Sequence, residues 1–142
     1  MVTSQPRILV VDDEPQVVWV LEFSLQALGY RTYSAHDGME ALDQIRRHRP
    51  ELMVLDVMMP RMDGWSVLEQ LADVPAVDRP QVVVVTALAS AGDRARARLL
   101  GAAAFVPKPF DMEHLVSVLQ GLASGDPAAV LASGRAATAL DA

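Results

Sequence analysis

The chain of 142 residues contains no cysteine and has fewer basic than acidic side chains. The lack of cysteine excludes disulfides, thiolate metal sites and cysteine nucleophiles. With 12 basic and 18 acidic side chains the formal net charge is −6, which argues against direct nucleic-acid binding by this chain. No apolar run approaches the roughly 20 residues that span a bilayer, and the first six residues do not resemble a secretory signal. We therefore expect a cytoplasmic protein with no membrane segment.

The sequence does contain four short apolar runs, each followed by a polar side chain suited to chemistry. The runs and the residues that follow them are 8–11 with Asp12 and Asp13, 52–55 with Asp56, 82–85 with Thr86, and 103–106 with Lys108 after Pro107. Such runs are typical of strands buried on both faces of a parallel sheet. If the strands are adjacent, their polar ends meet at the sheet edge where open α/β folds bind ligands.

Segments with helical periodicity separate these runs, and a weaker strand is predicted at 30–35. The resulting order is βαβαβαβαβα, which indicates an α/β fold with helices on both faces of a parallel sheet. The fourth helix is predicted at about 93–100. We expect the domain to occupy residues 6–123. Because the sequence then becomes rich in Ala, Gly and Ser, residues 124–142 are predicted to be a flexible C-terminal tail or the start of a linker.

Three carboxylates, those of Asp12, Asp13 and Asp56, are predicted to converge at this edge. Like charges so close repel one another unless a cation neutralises them, and a few hard oxygen donors suit Mg²⁺. Asp56 stands alone at a buried strand end, where a carboxylate nucleophile toward phosphorus would be placed. Thr86 and Lys108 could neutralise charge on a transferred phosphoryl group. The alternative is that these residues are helix caps, solvated turns or surface ion pairs.

Several motifs in order resemble the receiver domain of two-component response regulators. They are VVDDEP at 10–15, LDVMMPRMDG at 55–64, VTA at 85–87 and VPKPF at 106–110. The resemblance covers roughly residues 7–122. It implies a single doubly wound, flavodoxin-like domain with five helices around a five-stranded parallel sheet of order 2-1-3-4-5.

The resemblance also implies how the acidic residues act. Asp56 would accept a phosphoryl group from a phosphohistidine of a sensor histidine kinase or of a phosphotransfer protein. Mg²⁺ would be held by Asp13, Asp56 and the backbone carbonyl of Met58, and Asp12 would contribute through water or by positioning.

The remaining site residues follow from the same resemblance. The Thr86 hydroxyl, the Ala87 backbone amide and Lys108 would bind phosphoryl oxygens. Thr86 and Phe105 would form the switch, in which the hydroxyl moves toward the phosphoryl group and the aromatic ring turns inward. The geometry of the loops would depend on three further residues, which are Pro60, Gly64 and Pro109, the last in a cis bond to the lysine.

The output of the domain stays open at this point. The resemblance implies a phosphoacceptor signalling domain rather than an enzyme, which controls an unknown output protein through the face formed by the fourth helix, fifth strand and fifth helix. It could be a stand-alone regulator, a phosphorelay intermediate, or the receiver part of a longer regulator with a DNA-binding or enzymatic output domain. An aspartyl-phosphate phosphatase is a weaker alternative, because the first-strand acids are adjacent and no segment is long enough for a cap.

Two expectations concern the output face. A phosphorylation-dependent homodimer is one, although the predicted fifth helix lacks the basic residues that such dimers use. The other concerns Arg94, Arg96 and Arg98 on the fourth helix. These arginines either form a solvated face or dock an acidic partner.

Overall fold

The computed structural model describes residues 5–59 and 62–125 in full and the backbone of 138–139. Eleven elements and one short turn of 3₁₀ helix form this part of the chain. They are β1 Arg7–Val11, α1 Pro15–Ala27, β2 Arg31–Ala35, α2 Gly38–His48, β3 Leu52–Leu55, α3 Gly64–Leu71, the 3₁₀ turn Ala76–Asp78, β4 Gln81–Thr86, α4 Ala91–Leu99, β5 Ala104–Pro107, α5 Met112–Ser124 and β6 Thr138–Ala139.

The five long strands form a parallel sheet of order β2-β1-β3-β4-β5, as predicted. The register places Val11 beside Leu55, and Thr86 beside Pro107. The ends of the four central strands therefore lie along one edge. A two-residue strand that was not predicted, β6, pairs antiparallel with β5 at the other side of the sheet. It lies within the predicted tail; residues 126–137 and 140–142 lie outside the described residues.

Two hydrophobic layers cover the two faces of the sheet. One contains buried residues of α2, α3 and α4, and the other contains buried residues of α1 and α5. Successive strand residues alternate between the layers, so Leu9 and Val11 contact the first and Ile8 and Val10 the second. Both faces of each central strand are therefore covered, which explains why the strand sequences are continuously apolar.

Side-chain caps set the beginnings of α2, α3, α4 and α5, whereas α1 begins at Pro15 with no side-chain cap. Asp63 accepts a hydrogen bond from the Ser66 amide at the start of α3. At α4, Ser90 and Asp93 form a reciprocal capping box. The prediction that the fourth helix begins near residue 93 was therefore wrong by two residues, because Asp93 is the third residue of the helix and Ser90 is its cap. None of the helices in the described ranges is long and apolar enough to cross a membrane.

Candidate functional site

The ends of β1 and β3 bring the predicted acidic cluster together. Because β1 and β3 are parallel and in register through Val11 and Leu55, the residues that follow them, Asp12 and Asp56, are neighbours. Asp13 completes the group, and one carboxylate oxygen of each of the three residues lies within 4.8 Å of the others. The structure thus places Asp12, Asp13 and Asp56 at one point on the sheet edge.

The three acids differ in their surroundings. Asp12 and Asp56 are 3% and 5% exposed, whereas Asp13 is exposed. The Met58 amide donates to Oδ1 of Asp56 at 2.9 Å, and the Glu14 amide donates to Oδ1 of Asp12 at 2.9 Å. Each buried carboxylate therefore has one oxygen fixed by the backbone of its own loop, and its other oxygen is directed toward the shared site.

Lys108 occupies the space between the two buried acids. Its Nζ lies 2.9 Å from Oδ2 of Asp12 and 2.9 Å from Oδ2 of Asp56, and 3.9 Å from Oε1 of Glu14. The lysine was predicted to reach the site, but its double ion pair with Asp12 and Asp56 was not. One ammonium partly offsets three carboxylates, so the cluster still carries excess negative charge.

Burial and ion pairing shift two pKa values at the site. Burial raises the pKa of Asp56 above its ordinary value of 3.8, and the hydrogen bonds from the Met58 amide and Lys108 only partly counteract it. Burial lowers the pKa of Lys108, but the hydrogen bonds to Asp12 and Asp56 outweigh it and the pKa is raised. The lysine is therefore a permanent cation at neutral pH.

The end of β4 supplies the hydroxyl side of the site. Thr86 is fully buried, and its Oγ1 accepts a hydrogen bond from the Leu88 amide at 3.2 Å. The carbonyl oxygen of Thr86 accepts a hydrogen bond from the Lys108 amide at 2.8 Å, which joins the two strand ends. The next residue, Ala87, is exposed at the start of the loop that leads to α4.

Close packing in the loop after β3 explains the glycine in its motif. A Cβ on Gly64 would lie 2.5 Å from Cα of Val57 and 2.8 Å from the carbonyl oxygen of Asp56. The Gly64 amide also donates to the Val57 carbonyl oxygen at 3.1 Å. Only glycine allows α3 to begin directly against the backbone that carries Asp56. Pro60 lies outside the described residues.

Two further predicted residues lie on and after β5. The peptide bond between Lys108 and Pro109 is cis, as the resemblance implies. Phe105 is fully buried in the layer beneath α4, and its ring therefore already points inward.

The donor set fits Mg²⁺ chemically. Three carboxylates from two neighbouring loops offer oxygen atoms alone, partly open to solvent on the side of Asp13, which suits a hard cation that keeps several water ligands. The excess negative charge around Lys108 favours a further cation. The role of the Met58 carbonyl as a ligand remains a prediction.

Sequence reasoning missed an apolar groove beside the site. It measures about 570 Å³ and runs from Ala87 and Lys108 along the first half of α1. Its apolar wall is formed by three residues of α1 and three after β5, which are Val17, Val20, Leu21, Pro109, Phe110 and Met112. The predominance of apolar residues on α1 was a signal in the sequence, since this helix holds a single charged residue, Glu22, over its 13 residues.

The chain belongs to a known family of signalling domains. A family model described as the response regulator receiver domain matches residues 8–120, which is most of the chain. The match includes every loop that contributes to the acidic site. The chain is therefore a response regulator receiver domain.

Named relatives and solved structures agree with this assignment. The chain is 45% identical over 116 residues to the response regulator MprA of Mycobacterium avium strain 104, and to MprA of Mycobacterium tuberculosis strain H37Rv. Those 116 residues are 82% of this chain and 50% of each relative, so the chain spans about half the length of the relatives it matches.

Solved structures show the same fold. The CheY-like receiver domain protein of Methanospirillum hungatei JF-1 superposes with a TM-score of 0.80 at 25% identity, covering 86% of this chain and 96% of that one. The receiver domain of the Francisella response regulator 1452 gives a TM-score of 0.79 at 28% identity, covering 85% and 98%. The flavodoxin-like architecture predicted from the sequence is confirmed.

Proposed function

We propose that this domain accepts a phosphoryl group on Asp56, in a reaction that requires Mg²⁺. The observation that carries the proposal is the buried carboxylate of Asp56, which lies within 4.8 Å of two other acids and 2.9 Å from a lysine ammonium. A phosphohistidine would be the donor. Oδ2 of Asp56 would form a bond to phosphorus while the phosphorus–nitrogen bond breaks, and the imidazole would leave with the electron pair and take up a proton from water.

Each neighbouring group has a role in this transfer. Mg²⁺ held by Asp13 and Asp56, with Asp12 as a water-mediated or positioning ligand, would neutralise charge on the phosphoryl oxygens. Lys108 would exchange its contact with Asp56 for a phosphoryl oxygen. The Thr86 hydroxyl would release the Leu88 amide and turn to the phosphoryl group, and the Ala87 amide would donate to it.

The apolar groove gives the phosphodonor a place to dock. It begins at Ala87 and Lys108, so a helix of a sensor kinase or phosphotransfer protein lying in it would bring its phosphohistidine to Asp56. Next to the groove, Trp19 and Phe23 stack on the surface of α1, with ring centroids 5.4 Å apart, and both are more than 60% exposed. Val20→Glu should slow transfer from a phosphorylated sensor kinase and leave labelling by acetyl phosphate unchanged.

A direct test uses intact mass after incubation with acetyl phosphate, with and without Mg²⁺. Wild type should gain one phosphoryl group only with Mg²⁺, and Asp56→Asn should gain none. Asp43→Asn is the matched control, because Asp43 is an exposed acid on α2 that pairs with Arg47. Adduct formation in Asp56→Asn, or consumption of the donor with no adduct in wild type, would overturn the assignment; the second result would point to phosphatase turnover.

The output is proposed to pass through the α4-β5-α5 face in the cytoplasm. The half-length match to MprA supports a second candidate, in which this chain is the receiver part of a longer regulator with a DNA-binding or enzymatic output domain. The domain could also be a stand-alone regulator or a phosphorelay intermediate. A phosphorylation-dependent homodimer is a separate proposal, which predicts that the phosphorylated protein is a dimer. Light scattering of the acetyl-phosphate-treated protein distinguishes a dimer from a monomer.

A further inference from the structure

The helix α4 has little apolar anchoring. Its single buried residue is Ala97, and most of its other residues are charged or exposed. Each of the other four helices buries at least three residues. Burial of one alanine provides little of the stabilisation that holds a helix on a sheet, so other contacts must position α4.

Two arginines of α4 lie on aromatic rings on either side of it. The guanidinium carbon of Arg94 lies 4.8 Å from the ring centroid of Phe105 on β5, and that of Arg96 lies 4.4 Å from the ring centroid of Trp65 on α3. Both rings are buried, with Trp65 5% exposed and Phe105 fully covered. Residues two apart on a helix are about 200° apart around its axis, so the two arginines reach in opposite directions across Ala97.

We propose that Arg94 and Arg96 clamp α4 onto β5 and α3 through their contacts with the rings of Phe105 and Trp65. A cation over an aromatic face is attracted by the ring quadrupole, and the attraction grows when the contact is shielded from water. The arginine stems also cover apolar surface that α4 would otherwise leave open. Two arginines that sequence analysis assigned to a solvated or partner-binding face thus have a structural role in this proposal. Arg96 is exposed, as Arg98 is, although its guanidinium lies over the ring of Trp65.

The clamp lies close to the predicted phosphoryl-binding loop. Thr86 ends β4, and α4 begins four residues later at its cap Ser90. Phe105 is paired with Val84 in the β4–β5 register. The clamp therefore fixes the far end of the segment that contains Ala87 and Leu88. This relation to the loop rests on the proposed function, whereas the clamp itself does not.

Hydrogen exchange of the α4 amides tests the clamp in protein that has met no phosphodonor. Arg94→Met keeps an apolar stem and removes the charge, and Arg98→Met is the matched control one turn further along the same helix. We expect exchange in α4 to be about five- to tenfold faster in Arg94→Met, as a partly shielded cation–π contact implies. Exchange in α3 and in Arg98→Met should match wild type, and Arg94→Lys should recover part of the protection.

Wild-type exchange in Arg94→Met would overturn the proposal, because the charge would then be unnecessary. Equal acceleration in α3, β5 and α4 would also overturn it, since the variant would then have lost global stability rather than a local contact. Because no donor is used, these results stand whether or not Asp56 accepts phosphate.

Tryptophan fluorescence tests the second arm. Trp19 is 65% exposed, so Trp19→Phe leaves buried Trp65 as the reporter. In that background Arg96→Met should increase quenching of Trp65 by acrylamide, and Arg98→Met should not. Unchanged quenching in Arg96→Met would remove Arg96 from the clamp.

Discussion

The helices α3 and α4 cover the same face of the sheet and both begin directly after loops of the acidic site, yet they are held in different ways. α3 packs five residues into the core, which are Gly64, Trp65, Val67, Leu68 and Leu71. α4 buries only Ala97, and two of its arginine side chains lie over aromatic rings of the neighbouring elements. We therefore expect α3 to be a firmly packed support for the loop of Asp56, and α4 to be the more mobile of the two helices.

The energetic scale of the two arrangements supports this division. Burying a Leu or Val side chain contributes about 1.5–3 kcal/mol, whereas a cation–π contact contributes about 0.5–2 kcal/mol. Elements with few buried apolar contacts open locally at lower free energy than the rest of the fold. We therefore expect α4 to open before α3, and the predictions below test that order.

The largest expected effect is on the free energy of unfolding, and it compares a core residue of α3 with an exposed residue of α4. Leu68→Ala should lower the free energy of unfolding by about 2–5 kcal/mol, because Leu68 is 1% exposed in the core. Leu99→Ala in α4 should change it by less than about 0.5 kcal/mol, because Leu99 is 81% exposed. Urea unfolding of both variants measures the difference. A similar loss in both would mean that α4 is as firmly packed as α3.

Mg²⁺ bound by the carboxylates before α3 should stabilise the folded protein. At about 100 times its dissociation constant, a ligand that binds only the folded state adds about 2.7 kcal/mol. The melting temperature of wild type should therefore rise with Mg²⁺, and the rise should be much smaller in Asp56→Asn. Chelation should reverse it. Stabilisation of equal size in the variant would place the ion elsewhere.

Asp56→Asn should stabilise the metal-free protein at neutral pH, because burial penalises the charged form of the Asp56 carboxylate and raises its pKa. Because the folded-state pKa of Asp56 is raised above 3.8, its contribution to stability is fully present below about pH 3.8 and is lost as pH rises through the folded-state pKa. The advantage of the variant should accordingly grow with pH over that window. A lower melting temperature for Asp56→Asn at pH 7 would contradict this account.

The caps of the two helices provide a smaller comparison. Ser90→Ala removes the capping box of α4 and Asp63→Ala the cap of α3, each at a cost of about 1 kcal/mol. Ser90→Ala should accelerate hydrogen exchange mainly within α4, since this helix buries only Ala97. Asp63→Ala should lower global stability, because α3 opens only with the core. Faster exchange confined to α3 in Asp63→Ala would show that α3 also opens locally, which would contradict the expected difference between the two helices.

The smallest expected effect is on the rate of dephosphorylation, and it concerns one exposed side chain in the loop after β3 and one in the loop after β4. Met58 follows Asp56 by two residues and Leu88 follows Thr86 by two, and neither can orient a water molecule. Self-dephosphorylation should therefore be slow. Leu88→Asn or Met58→Asn should each speed loss of the phosphoryl group several-fold, measured by intact mass after donor removal, and Met39→Asn on α2 should not. Loss of the phosphoryl group within seconds in wild type would contradict the expectation that Met58 and Leu88 keep water from it.

The sequence predicted the sheet well because each buried strand is a continuous apolar run with a polar end. The strand order was implied by the family resemblance, whereas the convergence of Asp12, Asp56 and Lys108 was expected from those ends if the strands were neighbours. The contacts of Arg94 and Arg96 could not be predicted, because whether an arginine stem lies on a ring or extends into water depends on the position of a neighbouring helix. The groove beside α1 and the strand β6 likewise depend on contacts between distant segments.

Lys108 has one consequence for how the domain responds to divalent cations. Its ammonium pairs with the oxygens of Asp12 and Asp56 that face the site, so it would compete with the proposed Mg²⁺ for those oxygens. The dissociation constant for Mg²⁺ would then include the free energy of moving the lysine aside. A lysine displaced by the ion would stay close to Asp56, the proposed phosphoacceptor. Occupancy by the metal would thus convert Lys108 from a counter-ion of the resting acid into a binding group for the arriving phosphate.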